Sequence, residues 1–283
     1  MRKCWPFMVA LLAAGAAAAP AHADEWSKKY SVTGKPAVHV ETDDGSIDIV
    51  SGATREVEAH VITNGWNIPK NVRITESQEG DRVQIKVDVR NMHWVWFGID
   101  HRSLKVEVHV PPEADLEIHS GDGNVTSQSV AGNIRIDTGD GNMDVHGLKG
   151  DIHLHSGDGH IEGSDLDGTL NADTGDGHIT VRGRFDSLSL RSGDGNIQAD
   201  AAAGSKIANS WTLHTGDGRI NLRLPENFSA DLDAHTGDGH ISLDFPVTVS
   251  GSLSSSSIRG KLNGGGGVLT LTSGDGSIRV EKL

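Results

Sequence analysis

Five aspartates, Asp122, Asp140, Asp158, Asp176 and Asp194, recur every 18 residues, each inside a Gly-Asp-Gly triplet. Carboxylates at fixed spacing on glycine-rich turns are the donor type for calcium, which takes six or more oxygen ligands. The calcium-binding β-rolls repeat Gly-Gly-x-Gly-x-Asp-x-apolar-x and carry an acidic turn twice in each coil. Here the acidic turn comes once per repeat, and the opposite turn reads Leu-x-Gly, as at Leu148-Lys149-Gly150. One carboxylate per repeat, helped only by carbonyls, is thin coordination for calcium. The aspartates therefore read as turn formers with no cofactor, and a calcium ladder along those five residues is the alternative.

Histidine is the second candidate ligand, with 15 in the chain. His160, His178 and His240 directly follow a Gly-Asp-Gly, where other copies carry Asn124, Asn142, Asn196 and Arg219. That interchange fits an exposed polar ladder. A tetrahedral zinc site needs ligands that converge, and a parallel column does not. Catalysis has no clearer footing. A glycoside-cleaving enzyme needs one carboxylate pair set apart in a groove. Here the acids repeat as turn residues, and Ser, His and Asp are too frequent for a triad to stand out. No catalytic residue is assigned, and the chain reads as non-enzymatic. One segment breaks the pattern: Met92-His93-Trp94-Val95-Trp96-Phe97-Gly98, in a chain with only 4% aromatic residues. Its rings either plug an open end of the fold or form a ligand surface at Trp94, Trp96 and Phe97 for sugar or protein.

The repeat itself dictates the elements that carry these residues. The unit is [Ser/Thr]-Gly-Asp-Gly-x-[Ile/Val/Met]; after Asp194 it returns at Asp217, Asp238 and Asp275. A degenerate early copy is Thr42-Asp43-Asp44-Gly45-Ser46-Ile47, and Leu253 to Ile258 reads as a lapsed copy with Ser255 in the aspartate's place. Within one repeat, Ile134, Ile136, Met143 and Val145 alternate with Arg135, Asp137, Asp144 and His146. Period two means β-strand, with the aliphatic residues inward. Glycine accepts positive φ without a Cβ clash, and Asp can bond its own nearby N–H groups. A short repeat of strands and turns cannot bury its apolar face alone, so copies must stack. The expected fold is all-β: a single-stranded parallel β-solenoid of about 18 residues per coil with Gly-Asp-Gly turns.

Residues 24–115 read differently, as longer strands and hairpins that start or cap the solenoid. Val83 to Val89 and Leu104 to Val110 alternate over longer runs, and one hairpin turns at Glu79-Gly80. Pro111-Pro112 marks the entry to the regular repeats, which occupy 116–283. Residues 1–23 read as a signal peptide: Arg2 and Lys3, an apolar stretch from Phe7 to Ala19, then the small-x-small site Ala21-His22-Ala23. Cys4, the single cysteine, precedes that stretch, so neither a lipid anchor nor a disulfide is expected. No later segment is apolar enough to span a bilayer, so no transmembrane anchor is expected. The formal net charge is −14, which disfavours phosphate backbones and hence nucleic acid as a partner.

The iterated Ser/Thr-Gly-Asp-Gly-x-Ile, the Val108-His109-Val110-Pro111-Pro112 entry and the closing Ser273-Gly274-Asp275-Gly276-Ser277-Ile278-Arg279 resemble the bacterial "putative adhesin" domain of unknown function. The resemblance covers essentially the whole chain after residue 23. It implies an exported β-solenoid and supplies no catalytic residues. The expected function is a binding or scaffolding module of the cell envelope, periplasmic, surface-held or secreted, whose partner is an envelope protein or glycan. The alternatives are a polysaccharide-active enzyme on a β-helix and a calcium-stabilised roll.

Overall fold

A computed structural model describes residues 23–53, 55–90 and 102–283. Strands only are found among them. In the first part of the chain they are β1 (Ala23–Ser31), β2 (Ala37–Thr42), β3 (Ser46–Ser51), β4 (Glu56–Asn64), β5 (Val72–Glu79), β6 (Arg82–Val89) and β7 (Ser103–Val110). The regular repeats give β8 (Asp115–Ser120), β9 (Val125–Gln128), β10 (Ala131–Thr138), β11 (Met143–His146), β12 (Lys149–Ser156), β13 (Ile161–Thr174), β14 (Ile179–Ser192) and β15 (Ile197–Ala201). Then follow β16 (Ser210–Thr215), β17 (Ile220–Leu224), β18 (Ala230–Thr236), β19 (Ile241–Leu243), β20 (Val247–Leu253), β21 (Ser257–Leu262), β22 (Val268–Ser273) and β23 (Ile278–Lys282).

The repeats stack in parallel, strand on equivalent strand. Ile134 faces Leu116 on one side and Ile152 on the other, and Met143 lies between Val125 and Ile161. Ile134, Ile136, Met143 and Val145 are buried, while Arg135, Asp144 and His146 stand outward. The period-two reading thus holds at this coil. Ile161, Ile179 and Ile197 form one continuous buried column. Burying such a side chain contributes about 1.5–3 kcal/mol each.

Two features depart from a purely parallel solenoid. The sheet is mixed, because antiparallel strands close both ends. At one end β1 pairs with β4, β4 with β7, and β5 with β6, whose hairpin turns at Gly80. At the other, β21 pairs with β18 and β20 with β21. Antiparallel pairing covers the backbone edge that a bare last coil would leave open. The second departure is stacking order. The coil of β2 and β3 lies between β6–β7 and β8–β9. The coil of β22 and β23 lies between β16–β17 and β18–β19. The chain therefore runs past the penultimate place, lays down the last coil, returns through the β20–β21 hairpin and fills the gap. Leu253 to Ile258, read above as a lapsed copy, is the turn of that hairpin: Leu253 opposes Ile258, and Ser254 N–H donates to Ser257 O at 3.0 Å.

The first end is closed by residues outside the repeat. Trp26, Trp66 and Ile68 pack part-buried on the core at the first end. There the Tyr30 hydroxyl donates to Glu76 at 3.3 Å, and burial, then the charge of Glu76, push its phenol up. Trp94, Trp96 and Phe97 lie outside the described residues. Near the other end Trp211 is buried between Phe185 and Phe228, ring centroids 6.2 and 5.0 Å away.

Candidate functional site

The recurring motif builds one long edge of the rod, and each of its residues has a physical task. The Ser or Thr is buried, and at Ser120, Ser156, Ser192, Thr215, Thr236 and Ser273 it works in two directions. Ser156 Oγ accepts the N–H of Gly159 at 2.9 Å, closing its own turn, and donates to Gly141 O of the preceding coil at 3.0 Å. Ser192 repeats both bonds with Gly195 and Gly177, and Ser273 with Gly276 and Gly218. A buried hydroxyl with donor and acceptor both engaged is stable where a lone one would be costly. The degenerate copy joins this register, because Thr42 stands opposite Ser120.

The aspartates come out on the surface between two such glycines. Asp122, Asp140, Asp158, Asp176 and Asp194 are all exposed, one on each coil. Asp44 stands one step before them, and it is only half-exposed. Burial, then the charges of Asp122 and Asp43, hold its carboxyl above the ordinary range. Among the described residues no group of three or more His, Cys, Asp and Glu side chains is placed to hold a metal ion.

The position after each Gly-Asp-Gly forms a second column whose order the sequence did not reveal. Asn142 N–H donates to Asn124 Oδ1 at 2.9 Å, and His160 N–H to Asn142 Oδ1 at 2.8 Å. His178 N–H donates to His160 Nδ1 at 3.0 Å, Asn196 N–H to His178 Nδ1 at 2.9 Å, and Arg219 N–H to Asn196 Oδ1 at 2.8 Å. The imidazoles of His160 and His178 stack face to face, centroids 5.0 Å apart and planes within 3°. Because each Nδ1 accepts a backbone proton, each neutral ring carries its hydrogen on Nε2. Asn and His interchange here because each offers one acceptor inward and one N–H outward.

Beside this column lies a depression of about 270 Å³. Asn124, Asn142 and His160 line one side, and Thr126, Asp144 and Glu162 the other. Asp144 and Glu162 are in-register neighbours on β11 and β13, both exposed, and neither side chain makes a hydrogen bond or ion pair among the described residues. Thr126 differs, since its hydroxyl donates to Asp48 at 2.5 Å. A larger hollow of about 400 Å³ lies along β2, β6, β8 and β10, where His39 meets Glu117 at 3.2 Å and Lys35 meets Asp115 at 2.5 Å. Among the described residues one charge is buried outright. Asp200, its side chain 4% exposed, takes Arg223 Nε and Nη2, both at 2.6 Å, and Arg182 Nε at 3.2 Å, from the coils on either side. Pairing of this kind is what allows a carboxylate to sit inside.

Comparison with known proteins gives three findings. A family model described as Toastrack DUF4097 matches residues 36–281, which contain the Thr42 copy, every Gly-Asp-Gly and the Val108–Pro112 segment. No curated protein matches the chain. Among solved structures, a "putative adhesin" from Bacteroides fragilis is 11% identical, with 92% of this chain and 97% of that one covered at a TM-score of 0.46. A "putative lipid binding protein" from Parabacteroides distasonis is 12% identical, with 91% and 96% covered at a TM-score of 0.47. Among the described residues no helix is long and apolar enough to cross a membrane.

Proposed function

The chain belongs to the Toastrack DUF4097 family, and from that premise we propose that it is an exported, non-enzymatic binding or scaffolding module of the cell envelope. One observation carries this reading. The exposed polar side chains are spread as in-register columns, the same chemistry recurring from coil to coil, instead of gathered at one point. Chemistry on a bound substrate needs a nucleophile, base and stabilising donors within about 3 Å of one reacting atom. Columns along a rigid core suit an extended partner contacted many times, with weak contacts adding up. The amino-terminal segment ending at Ala23 supports export. The surplus of carboxylates argues against nucleic acid as that partner. An envelope protein or glycan is the partner class.

The experiment is capture from a solubilised bacterial envelope fraction by the immobilised chain lacking residues 1–23, with the same fraction passed over a chain unfolded by heat. Specific retention by the folded form is expected. No retention, together with turnover of any soluble polysaccharide, would replace this reading with the enzymatic one.

A further inference from the structure

We propose that the column Asn124, Asn142, His160, His178 and Asn196, with Asp144 and Glu162 beside it, is a binding rail for a single chain of a linear, neutral polysaccharide. The proposal rests on the binding-module reading above and names the ligand class.

The column is a row of aimed donors. Each side chain spends its one inward acceptor on the backbone N–H of the next coil. What remains outward is the amide NH₂ of each Asn and the Nε2–H of each His. Strand stacking sets these N–H groups about 4.8 Å apart. The backbone bonds and the ring stacking hold them still before any ligand arrives, so little side-chain entropy is left to lose on binding. Asp144 and Glu162 supply the opposite character one residue pair along the strands. Both are acceptors only, and neither is occupied by a protein donor among the described residues. The depression between them and the donor row is open to solvent, with Val125 and Met143 at its floor.

A hydroxyl is the group that satisfies both rows, since it accepts from an N–H and donates to a carboxylate. A polymer dense in hydroxyls, with an extended repeat close to the strand spacing, meets the same donor–acceptor pair on successive coils. An anionic polymer is disfavoured by Asp144, Glu162 and the exposed turn aspartates Asp122, Asp140, Asp158 and Asp176. A protein strand added edge to edge would need unpaired backbone groups, and those of this column are spent on the neighbouring coils.

The test is native gel electrophoresis of the chain lacking residues 1–23 through gels cast with a mixed-linkage β-glucan, a glucomannan or, as the anionic control, alginate. Retardation by at least one neutral polymer and none by alginate is expected. Asn124→Asp with Asn142→Asp keeps an oxygen for each backbone N–H but removes the outward NH₂, and should weaken retardation about tenfold. A second variant, Asp144→Ala with Glu162→Ala, removes side chains that have no protein partner, so it should melt like the parent and still bind about tenfold less. Equal retardation of parent and both variants, or none of the parent by any neutral polymer, overturns the rail. Retardation that appears only with added calcium and disappears in EDTA also overturns it, and reassigns Asp144 and Glu162 to a cation. If the rail fails while envelope material is still captured by parent and variants alike, the binding-module reading stands with its partner elsewhere.

Discussion

The carbonyl oxygen of Gly141 fills the place where a side chain on Gly159 would begin: a Cβ built there would lie 2.0 Å from it. The second glycine of the motif is thus demanded by the coil beneath it; its own φ lies outside the left-handed region, so the bend of the turn does not require it. Gly159→Ala should cost about 3 kcal/mol or more, because backbone must move in two stacked coils. Gly80→Ala at the β5–β6 hairpin, where nothing lies within 4 Å and φ is +61°, should cost only about 1 kcal/mol. Urea unfolding of the two variants makes the comparison. Equal losses would mean that the stacked backbone yields to a Cβ at Gly159.

Ser156 holds the same two coils together. Removing its hydroxyl strands the N–H of Gly159 and the carbonyl of Gly141 in a buried site. Ser156→Ala should therefore lower stability by about 1–3 kcal/mol. Ser156→Thr should be nearly silent, since Thr138 and Thr174 occupy the same position in the adjoining coils. A thermal melt of the pair of variants decides it, and a harmless Ala would refute the bridging role.

Asp44 gives a pH dependence with a definite sign. Its carboxyl is raised in the fold, by burial first and by Asp122 and Asp43 next. The folded state then holds this proton more tightly than the unfolded chain, so stability falls as pH rises through the shifted range, and the full penalty persists at neutral pH. Asp44→Asn should raise the melting temperature at pH 7 and leave it unchanged at about pH 3, where both states are protonated. A variant less stable than the parent at pH 7 would show that the charge is wanted there.

The turn aspartates are proposed as structural residues, with no cation required. EDTA should leave circular dichroism and melting temperature as they are. A calcium ion bound to the native state alone would instead stabilise it by about 2.7 kcal/mol at a hundredfold excess over Kd. A rise in melting temperature of that order on adding calcium would make Asp122, Asp140, Asp158, Asp176 and Asp194 ligands.

The stacking order carries its own prediction. Strands β22 and β23 separate two coils that precede them in the chain. A chain ending at Leu262 loses the buried Leu269, Leu271, Ile278 and Val280 together with the lateral partners of β16, β17, β18 and β19. Amide protection should collapse at Leu213 and Ala234 while surviving at Ile136. In a solenoid stacked in chain order, the same truncation would remove one terminal coil and leave Leu213 protected. Hydrogen exchange distinguishes the two.

Much of this molecule is legible in its residues because the governing interactions are local. Alternation along Ile134 to Val145 assigns strand and inward face, since side chains on a strand alternate by geometry. Gly-Asp-Gly marks each turn, and the shared Ser/Thr marks a position that must repeat. The in-register partnership of Ile161, Ile179 and Ile197 follows from equal spacing alone. The site was only half legible. The ladder position could be found by aligning the copies, but not that Asn124 and His160 turn their acceptors inward, because that depends on a backbone N–H one coil away. Asp144 and Glu162 looked like ordinary outward residues, and their lack of partners emerges only when their neighbours are placed. Asp200 gave no signal of burial, for its two arginines come from other coils.

What the chain alone determined, then, is the coil: strand, turn, inward column and the edge chemistry that lets one copy sit on another. What the tertiary structure decided is which copy sits on which. Every Ser/Thr-Gly-Asp-Gly offers its neighbours the same hydroxyl, the same carbonyl and the same glycine clearance, so Asp275 is as good a partner for Asp217 as Asp238 is. Local chemistry is degenerate among the copies. The choice falls to features that act at long range. The β20–β21 hairpin carries the chain back to the gap, and the antiparallel strands β1, β4 and β5 cover the opposite end before the regular repeats begin.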